Sequence, residues 1–127
     1  MEFEELKRWG LLLDTLNDMS DVERQVIVQG DDPASFVPDT LLDRWQSIFR
    51  GGWGLTKIGL SELTLSILLE FDHYLDQLVE LLPEYIDDKE DYIRYDEAWQ
   101  TVRELADWTL SRIAEMGQQE ETFFSDN

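Results

Sequence analysis

Cysteine is absent from the sequence, and basic residues, histidine and proline are scarce. The 127 residues include 10 lysines and arginines, one histidine and three prolines. Without cysteine the chain has no disulfide scaffold, no zinc–thiolate site and no cysteine nucleophile. Disulfides persist mainly in oxidising compartments, so the lack of cysteine favours a cytoplasmic protein.

A long hydrophobic run is also missing. The apolar run Leu11–Leu13 near the N-terminus is far shorter than the roughly 20 apolar residues of a transmembrane helix. The first ten residues, MEFEELKRWG, begin with acids, whereas a signal peptide begins with a basic region. We therefore expect a protein without a membrane segment.

Acidic residues dominate the charge of the chain. There are 29 of them, and the formal net charge is -19. Nucleic-acid phosphates and anionic lipids both require a positive footprint, so we expect no direct nucleic-acid binding and no membrane binding. A basic protein is the partner that such a surface attracts. Charge repulsion also keeps proteins soluble and monomeric, which explains the same composition without any partner.

Apolar residues recur every three or four positions in five segments, which predicts five helices. The segments are residues 2–17, a short helix from Ser20, residues 39–50, residues 61–82 and residues 91–116. Gly10 interrupts the first segment, which favours close approach of another helix there. The β-branched run Val26–Val28 leaves an extended conformation open as an alternative for the short segment.

Capping signals mark the ends of these segments. Ser20 and Glu23 have the spacing of a capping box, and Asp39 and Ser61 stand where an N-cap is expected. Gly117 is the predicted residue that ends the last helix. Three tryptophans fall on apolar helix faces and are expected in the core: Trp9, Trp45 and Trp99.

These helices predict an all-α fold, a single-domain bundle of four main helices plus one short helix over residues 1–117. Residues 61–82 and 91–116 are joined by a short acidic link, which predicts a long antiparallel C-terminal helical hairpin at the centre of the bundle. Residues 118–127 are predicted to form a flexible acidic tail. Residues 50–59 contain four of the seven glycines, which predicts a loop.

The helix over residues 61–82 has a broad apolar surface. Its predicted core positions are Leu63, Ile67, Phe71, Tyr74, Leu78 and Leu81. Leu65, Leu68 and Leu69 extend the apolar surface around the first half, so the first three turns are expected to be buried on most sides. Only the second half is expected to have a solvent-facing side.

Glu70 and His73 have a Glu-x-x-His spacing, which places a carboxylate and an imidazole one helical turn apart. Carboxylate-bridged di-iron bundles need two such pairs, and one histidine supplies only one of them. A site bridging two chains is the single way to complete it. We therefore predict no metal and no cofactor, with His73 paired to a neighbour such as Gln77.

Two alternative functions remain open. A divalent-metal-dependent hydrolase of a phosphorylated small molecule would need carboxylates from two facing helices. Its candidates are Glu70, Asp76, Glu97, Glu104 and Asp107, whose spacing is not specific among so many acids. A homodimeric structural protein using the long final helix is the other alternative, so the chain is expected to be a monomer or a homodimer.

Carboxylates follow one another at one-turn spacing in the second half of the helix over residues 61–82. Asp72, Asp76 and Glu80 form an i, i+4, i+8 row, and each like-charged pair at this spacing destabilises a helix by about 0.2–0.5 kcal/mol. The link and the start of the next helix continue the row with Glu84, Asp87, Asp88 and Asp91. This pattern favours a site that meets a cationic partner, and an equally ordinary interpretation is a solvated helix face.

Two aromatic residues accompany these acids. Tyr85 lies in the link, and Trp108 falls outside the apolar seam of the last helix, one turn from Arg112. Exposed aromatic residues are typical binding hot spots, whereas a local cation-π contact with Arg112 explains Trp108 without a partner.

The predicted function is therefore non-enzymatic: a small acidic helical protein that binds a basic protein and inhibits or neutralises it. The predicted binding residues, called the acidic face below, are Asp72, Asp76, Glu80, Glu84, Tyr85, Asp87, Asp88, Asp91 and Trp108. In such complexes charge speeds the encounter and buried aromatic side chains hold the partners together.

Overall fold

A computed structural model describes residues 3–49, 61–83 and 86–125, with side chains over 7–49, 61–83 and 86–115. Over these residues the chain forms six α-helices and no strand, so the predicted all-α class is confirmed. They are α1 (Phe3–Ser20), α2 (Val22–Asp31), α3 (Val37–Phe49), α4 (Glu62–Val79), α5 (Lys89–Tyr95) and α6 (Glu97–Ser125). In the described ranges no helix is long and apolar enough to span a bilayer. The predicted glycine-rich loop lies outside them.

The last predicted helix is in fact two helices, divided at Asp96. The Asp96 backbone is extended, with φ -64° and ψ 126°, and its Oδ2 accepts a hydrogen bond from the Trp99 amide at 2.9 Å. Asp96 is thus an N-cap, which begins a new helix even though the apolar periodicity continues across it. The prediction of one unbroken helix over residues 91–116 is wrong, and the described residues contain six helices instead of four plus one.

The C-terminal end of α6 also differs from the prediction. The helix continues through Gly117 to Ser125, so the helix end predicted at Gly117 is wrong. A glycine inside a helix costs only about 1 kcal/mol relative to alanine, which is too little to end a helix by itself. The division into a domain over residues 1–117 and a flexible tail over 118–127 stays a prediction.

The junction between α1 and α2 is capped by Asp21. Its Oδ1 accepts a hydrogen bond from the Arg24 amide at 3.1 Å, whereas Ser20 is the last residue of α1 and donates from Oγ to the Asn17 carbonyl. The capping box predicted at Ser20 is therefore wrong, because the carboxylate one position later takes the role. The run Val26–Val28 lies within α2, so the extended alternative is also wrong.

The helices α3 and α4 begin close to their predicted starts. Ser61 caps α4, since its Oγ accepts a hydrogen bond from the Thr64 amide at 3.2 Å, as predicted. The helix α3 begins at Val37, so Asp39 lies in its first turn and the N-cap predicted at Asp39 is wrong. A carboxylate there still interacts favourably with the helix dipole.

The core is centred on α1, which packs against α2, α3 and α6. Trp45 and Trp99 are completely buried, as predicted, and Trp9 packs at the edge of the same cluster. Trp45 stacks on Phe49 with ring centroids 5.1 Å apart and meets Phe71 edge-on at 5.0 Å. The contact between α4 and α6 is the one that the predicted hairpin requires, and the antiparallel hairpin itself stays a prediction.

Gln25 is buried in this core, which the sequence did not indicate. Its Nε2 donates hydrogen bonds to the carbonyls of Asp18 and Met19 at 2.7 and 2.8 Å. Its Oε1 accepts a hydrogen bond from the indole Nε1 of Trp99 at 2.8 Å. The amide group of Gln25 therefore satisfies two of the C-terminal carbonyls of α1 and connects α2 to α6.

Gln29, one turn later, has a similar role at the other end of α2. Its Nε2 donates to the Ser35 carbonyl at 2.8 Å, and its Oε1 accepts from the Val37 amide at 3.0 Å. The side chain is only 3% exposed. It therefore fixes the turn that leads into α3.

Substituting Gly10 by alanine is expected to stabilise the protein. A Cβ at Gly10 would meet no described atom within 4 Å outside its own helix, so the close approach expected from the sequence is not found among the described residues. Since Gly10 is inside α1, alanine removes the entropic cost of a helical glycine, and we expect a gain of about 0.5–1 kcal/mol. Urea denaturation followed by circular dichroism measures it. A loss of stability would show that a neighbouring group needs the space.

Candidate interaction surface

The described members of the acidic face lie on three helices or in the residues that directly flank them. Asp72 and Asp76 belong to α4 and Glu80 follows its last residue, whereas Asp88 and Asp91 belong to the start of α5. Trp108 lies on α6. Glu84 and Tyr85 lie outside the described residues. The helix α4 packs against α6, and α5 packs against both α2 and α6.

Asp72 is half-buried and bonded to the core. Its Oδ1 accepts a hydrogen bond of 2.8 Å from the indole Nε1 of Trp45. Burial raises the pKa of the Asp72 carboxyl and the nearby Asp76 charge raises it further, against the opposing effects of the Trp45 hydrogen bond and His73. Asp72 therefore supports the packing of α3 on α4 in addition to carrying charge.

Asp76, Glu80 and Asp87 are exposed to solvent. The Glu80 carboxylate stands at the C-terminal end of α4, whose last turn contains no basic residue. A negative charge at this end opposes the helix dipole, at a cost of about 0.3–1 kcal/mol. The fold is thus destabilised, and not supported, by the charge of Glu80.

Asp88 has a local structural role as the N-cap of α5. Its Oδ1 accepts a hydrogen bond from the Asp91 amide at 3.1 Å. Asp91 lies in the first turn of the same helix, where a negative charge is favourable. These two carboxylates are therefore explained in part by the helix that they begin.

The carboxylates of the acidic face form no ion pair within the part of the chain that the structure describes. Ion pairs there join Asp18 to both Arg24 and Arg44, Glu23 to Arg94, and Glu115 to Arg112. Lys89 is close in sequence to Asp87 and Asp88, but its Nζ donates to the carbonyls of Pro33 and Ser35 at 2.8 and 3.0 Å. Lys89 is thus bound elsewhere.

Trp108 is 49% exposed. The guanidinium carbon of Arg112 lies 5.9 Å from the centre of its ring, and Arg112 also pairs with Glu115 at 3.3 Å. The cation-π contact considered from the sequence is therefore present. It covers only part of the indole, and about half of the side chain remains accessible to a partner.

The buried and exposed residues of α4 differ from those predicted. Leu63 and Leu81, predicted in the core, are 56% and 71% exposed, and Leu69 is 42% exposed. The buried positions of the helix are Thr64, Ile67, Leu68, Phe71, Leu75 and Leu78. The first three turns are therefore buried on one side only, because α4 contacts its neighbours along one stripe.

Two exposed apolar residues extend the acidic face: Leu69, which was expected to be buried, and Val79, for which the sequence predicted no role. Leu69 and Val79 are 42% and 41% exposed. Residues 69, 72, 76 and 79 are separated by three and four positions, so Leu69 and Val79 lie on the same side of α4 as Asp72 and Asp76. This spacing could have been found in the sequence.

Comparison with known proteins gives no information on the role of this surface. No family model, curated protein or solved structure matches the chain.

The residues considered for metal binding are not gathered into a site in the described ranges. His73 Nε2 lies 3.3 Å from Nε2 of Gln77, the neighbour expected from the sequence. Glu70 and His73 are both exposed. Among the described side chains, no group of three or more histidines and carboxylates is arranged to hold a metal ion. The carboxylates of the hydrolase alternative therefore form no such cluster there.

Proposed function

We propose that this protein is a small, acidic, non-enzymatic helical protein that binds a basic protein and inhibits or neutralises it. The partner contacts the acidic face. The observation that carries the proposal is that no described cation forms an ion pair with the described carboxylates of this face, although the same chain pairs Asp18, Glu23 and Glu115 with arginines. The exposed members of the face therefore have no described cation to pair with, which favours contact with cations of another molecule.

The residues of the face divide into two roles. Asp76, Glu80 and Asp87 are exposed and speed the encounter with a positively charged partner, because complementary charge raises the association rate. Leu69, Val79 and Trp108 supply apolar contact area that holds the complex once it forms. The proposal includes a cytoplasmic location, a monomer or homodimer, and no direct contact with nucleic acid.

A charge-matched pair of variants tests the proposal. The first combines Asp76→Asn, Glu80→Gln and Asp87→Asn, and the control combines Asp31→Asn, Asp39→Asn and Asp43→Asn, which are exposed carboxylates outside the face. Both change the net charge equally. Proteins retained from a host lysate by the wild type are purified, and their dissociation constants are measured with each variant.

We expect a basic partner whose affinity falls about tenfold with the first variant, because exposed charge pairs contribute about 0.2–1 kcal/mol each. The control should bind like the wild type, and the affinity of the wild type should decrease with salt. Equal losses with both variants would show that only the total charge matters. A retained partner that is not basic would contradict the proposal.

A further inference from the structure

A groove with a volume of about 290 Å³ lies between α1, α2 and α3. Arg24 and Arg44 line it, and both bind the same carboxylate. Arg24 Nε lies 3.1 Å from Oδ1 of Asp18, and Arg44 Nη2 lies 2.8 Å from Oδ2. Arg44 Nε also donates to Oγ1 of Thr15 at 3.0 Å. Asp18 therefore brings the two guanidinium groups together.

The two arginines keep unused hydrogen-bond donors. A guanidinium group has five N–H donors. Within the described residues, Arg24 uses only its Nε and Arg44 only its Nε and Nη2. The Arg24 side chain is 65% exposed, and neither of its terminal nitrogens has a hydrogen-bond partner among the described residues. Terminal N–H groups of a guanidinium match the geometry of an incoming carboxylate.

Part of the groove wall is apolar. Val28, Val37 and Leu41 line it beside the arginines. Val28 is 46% exposed, whereas Val37 and Leu41 are almost completely buried and belong to the core. A ligand in this groove would therefore cover the exposed part of Val28 and place an apolar body beside its cationic wall.

Charge complementarity limits the ligand to a monoanion. The charged residues that line the groove are Arg24, Arg44, Asp18 and Asp32, so its two positive and two negative charges cancel. A group with one negative charge gains charge-assisted hydrogen bonds from the arginines, whereas a second charge would increase repulsion from the two aspartates and from a chain of net charge -19.

We propose that this groove binds a small aliphatic monocarboxylate. The carboxylate of the ligand lies against the outer N–H groups of Arg24 and Arg44, and its hydrocarbon chain lies on Val28, Val37 and Leu41. The groove volume is at the lower limit of small-molecule sites, which suits a ligand with a short chain. This inference is independent of the proposed binding of a basic protein.

Hexanoate is a suitable probe, with hexanamide and inorganic phosphate as comparisons. Titration followed by 1H–15N NMR should give saturable shifts at the Nε–H groups of Arg24 and Arg44 and at the amides of Val28 and Thr40. Hexanamide should bind about tenfold more weakly, because it lacks the charge that the arginines recognise. Phosphate should also bind more weakly than hexanoate.

Two variants test the location. Arg24→Gln should weaken hexanoate binding about tenfold, because it removes a charged donor from a side chain that makes only one described contact. Arg112→Gln is the matched control and should have no effect, because this partly exposed arginine lies outside the groove and has its own carboxylate partner. Arg44 is not substituted, since it connects α3 to Thr15 and Asp18.

Four results would overturn the inference. These are the absence of saturable shifts with hexanoate, equal affinity for hexanamide, tighter binding of phosphate, and an affinity for hexanoate that Arg24→Gln does not change. A further variant, Val28→Asn, tests the apolar wall. It should weaken hexanoate binding more than acetate binding, because acetate has no chain to place on Val28; equal effects on both probes would contradict the proposed pose.

Discussion

Replacing Gln25 with leucine is expected to lower the free energy of unfolding by about 3–5 kcal/mol, because each buried polar group left without a partner costs about 1–3 kcal/mol. The substitution removes the acceptor of the Trp99 indole and the donors to the carbonyls of Asp18 and Met19. The Asp18 carbonyl keeps the Asp21 amide as a donor at 3.4 Å, so the loss falls mainly on the indole and on the Met19 carbonyl. Gln25 is only 2% exposed, so water has little access to the groups left behind. Urea denaturation followed by circular dichroism measures the change.

The matched control is Gln46→Leu. Gln46 is an exposed glutamine on α3, and surface substitutions of this kind usually change stability by less than about 0.5 kcal/mol. Hydrogen exchange gives a second measurement, since the indole proton of Trp99 should exchange faster in Gln25→Leu than in the wild type. A loss of stability below about 1 kcal/mol would mean that the three groups find other partners.

Gln25 shows why part of the core could not be predicted. The apolar spacing of Val22 and Val26 indicates which side of α2 is buried, but Gln25 and Gln29 occupy that side as well. Glutamine is mostly exposed in proteins, and it is buried here because partners on α1, α6 and the following turn satisfy its amide. These partners are identified only by the tertiary structure.

Local signals were reliable where a single residue decides the outcome. Ser61 was correctly predicted as the cap of α4 because its side chain bonds an amide three residues away. The break at Asp96 was missed because the periodic pattern on either side of it is continuous, even though Asp96 and Glu97 are themselves a typical helix start. Periodicity reports which side is buried, and caps report where helices begin.

The same distinction applies to the candidate sites. The exposure of Asp76 and Glu80 follows from local charge patterning. The bond between Asp72 and Trp45 joins residues 27 positions apart, and the contact of Arg24 and Arg44 with one aspartate depends on how three helices pack. Neither arrangement has a signal in the sequence.

Substituting Asp72 by alanine is expected to destabilise the protein by about 1–3 kcal/mol, because the buried indole N–H of Trp45 loses its acceptor. Asp72→Asn keeps an oxygen at this position and also removes the repulsion from Asp76, so its stability should equal or exceed that of the wild type. Combining it with Asp76→Asn should not reduce stability either. Chemical denaturation of the variants measures these differences.

The pH dependence of the stability of these variants distinguishes the effect of the Asp72 charge from the effect of its hydrogen bond. Since the folded protein raises the pKa of this carboxyl above its ordinary value of 3.8, folding favours the protonated form. The stabilisation that the protonated Asp72 carboxyl gives to the folded protein is fully present below pH 3.8 and is lost as pH rises through the raised pKa. The advantage of Asp72→Asn over the wild type should therefore be largest at neutral pH and shrink on acidification, whereas the deficit of Asp72→Ala relative to Asp72→Asn should be independent of pH.

An advantage of Asp72→Asn that grows on acidification would show that folding favours the ionised carboxylate. Asp72 would then be held as an anion by the fold, and the charge of the acidic face would need a structural explanation at this position.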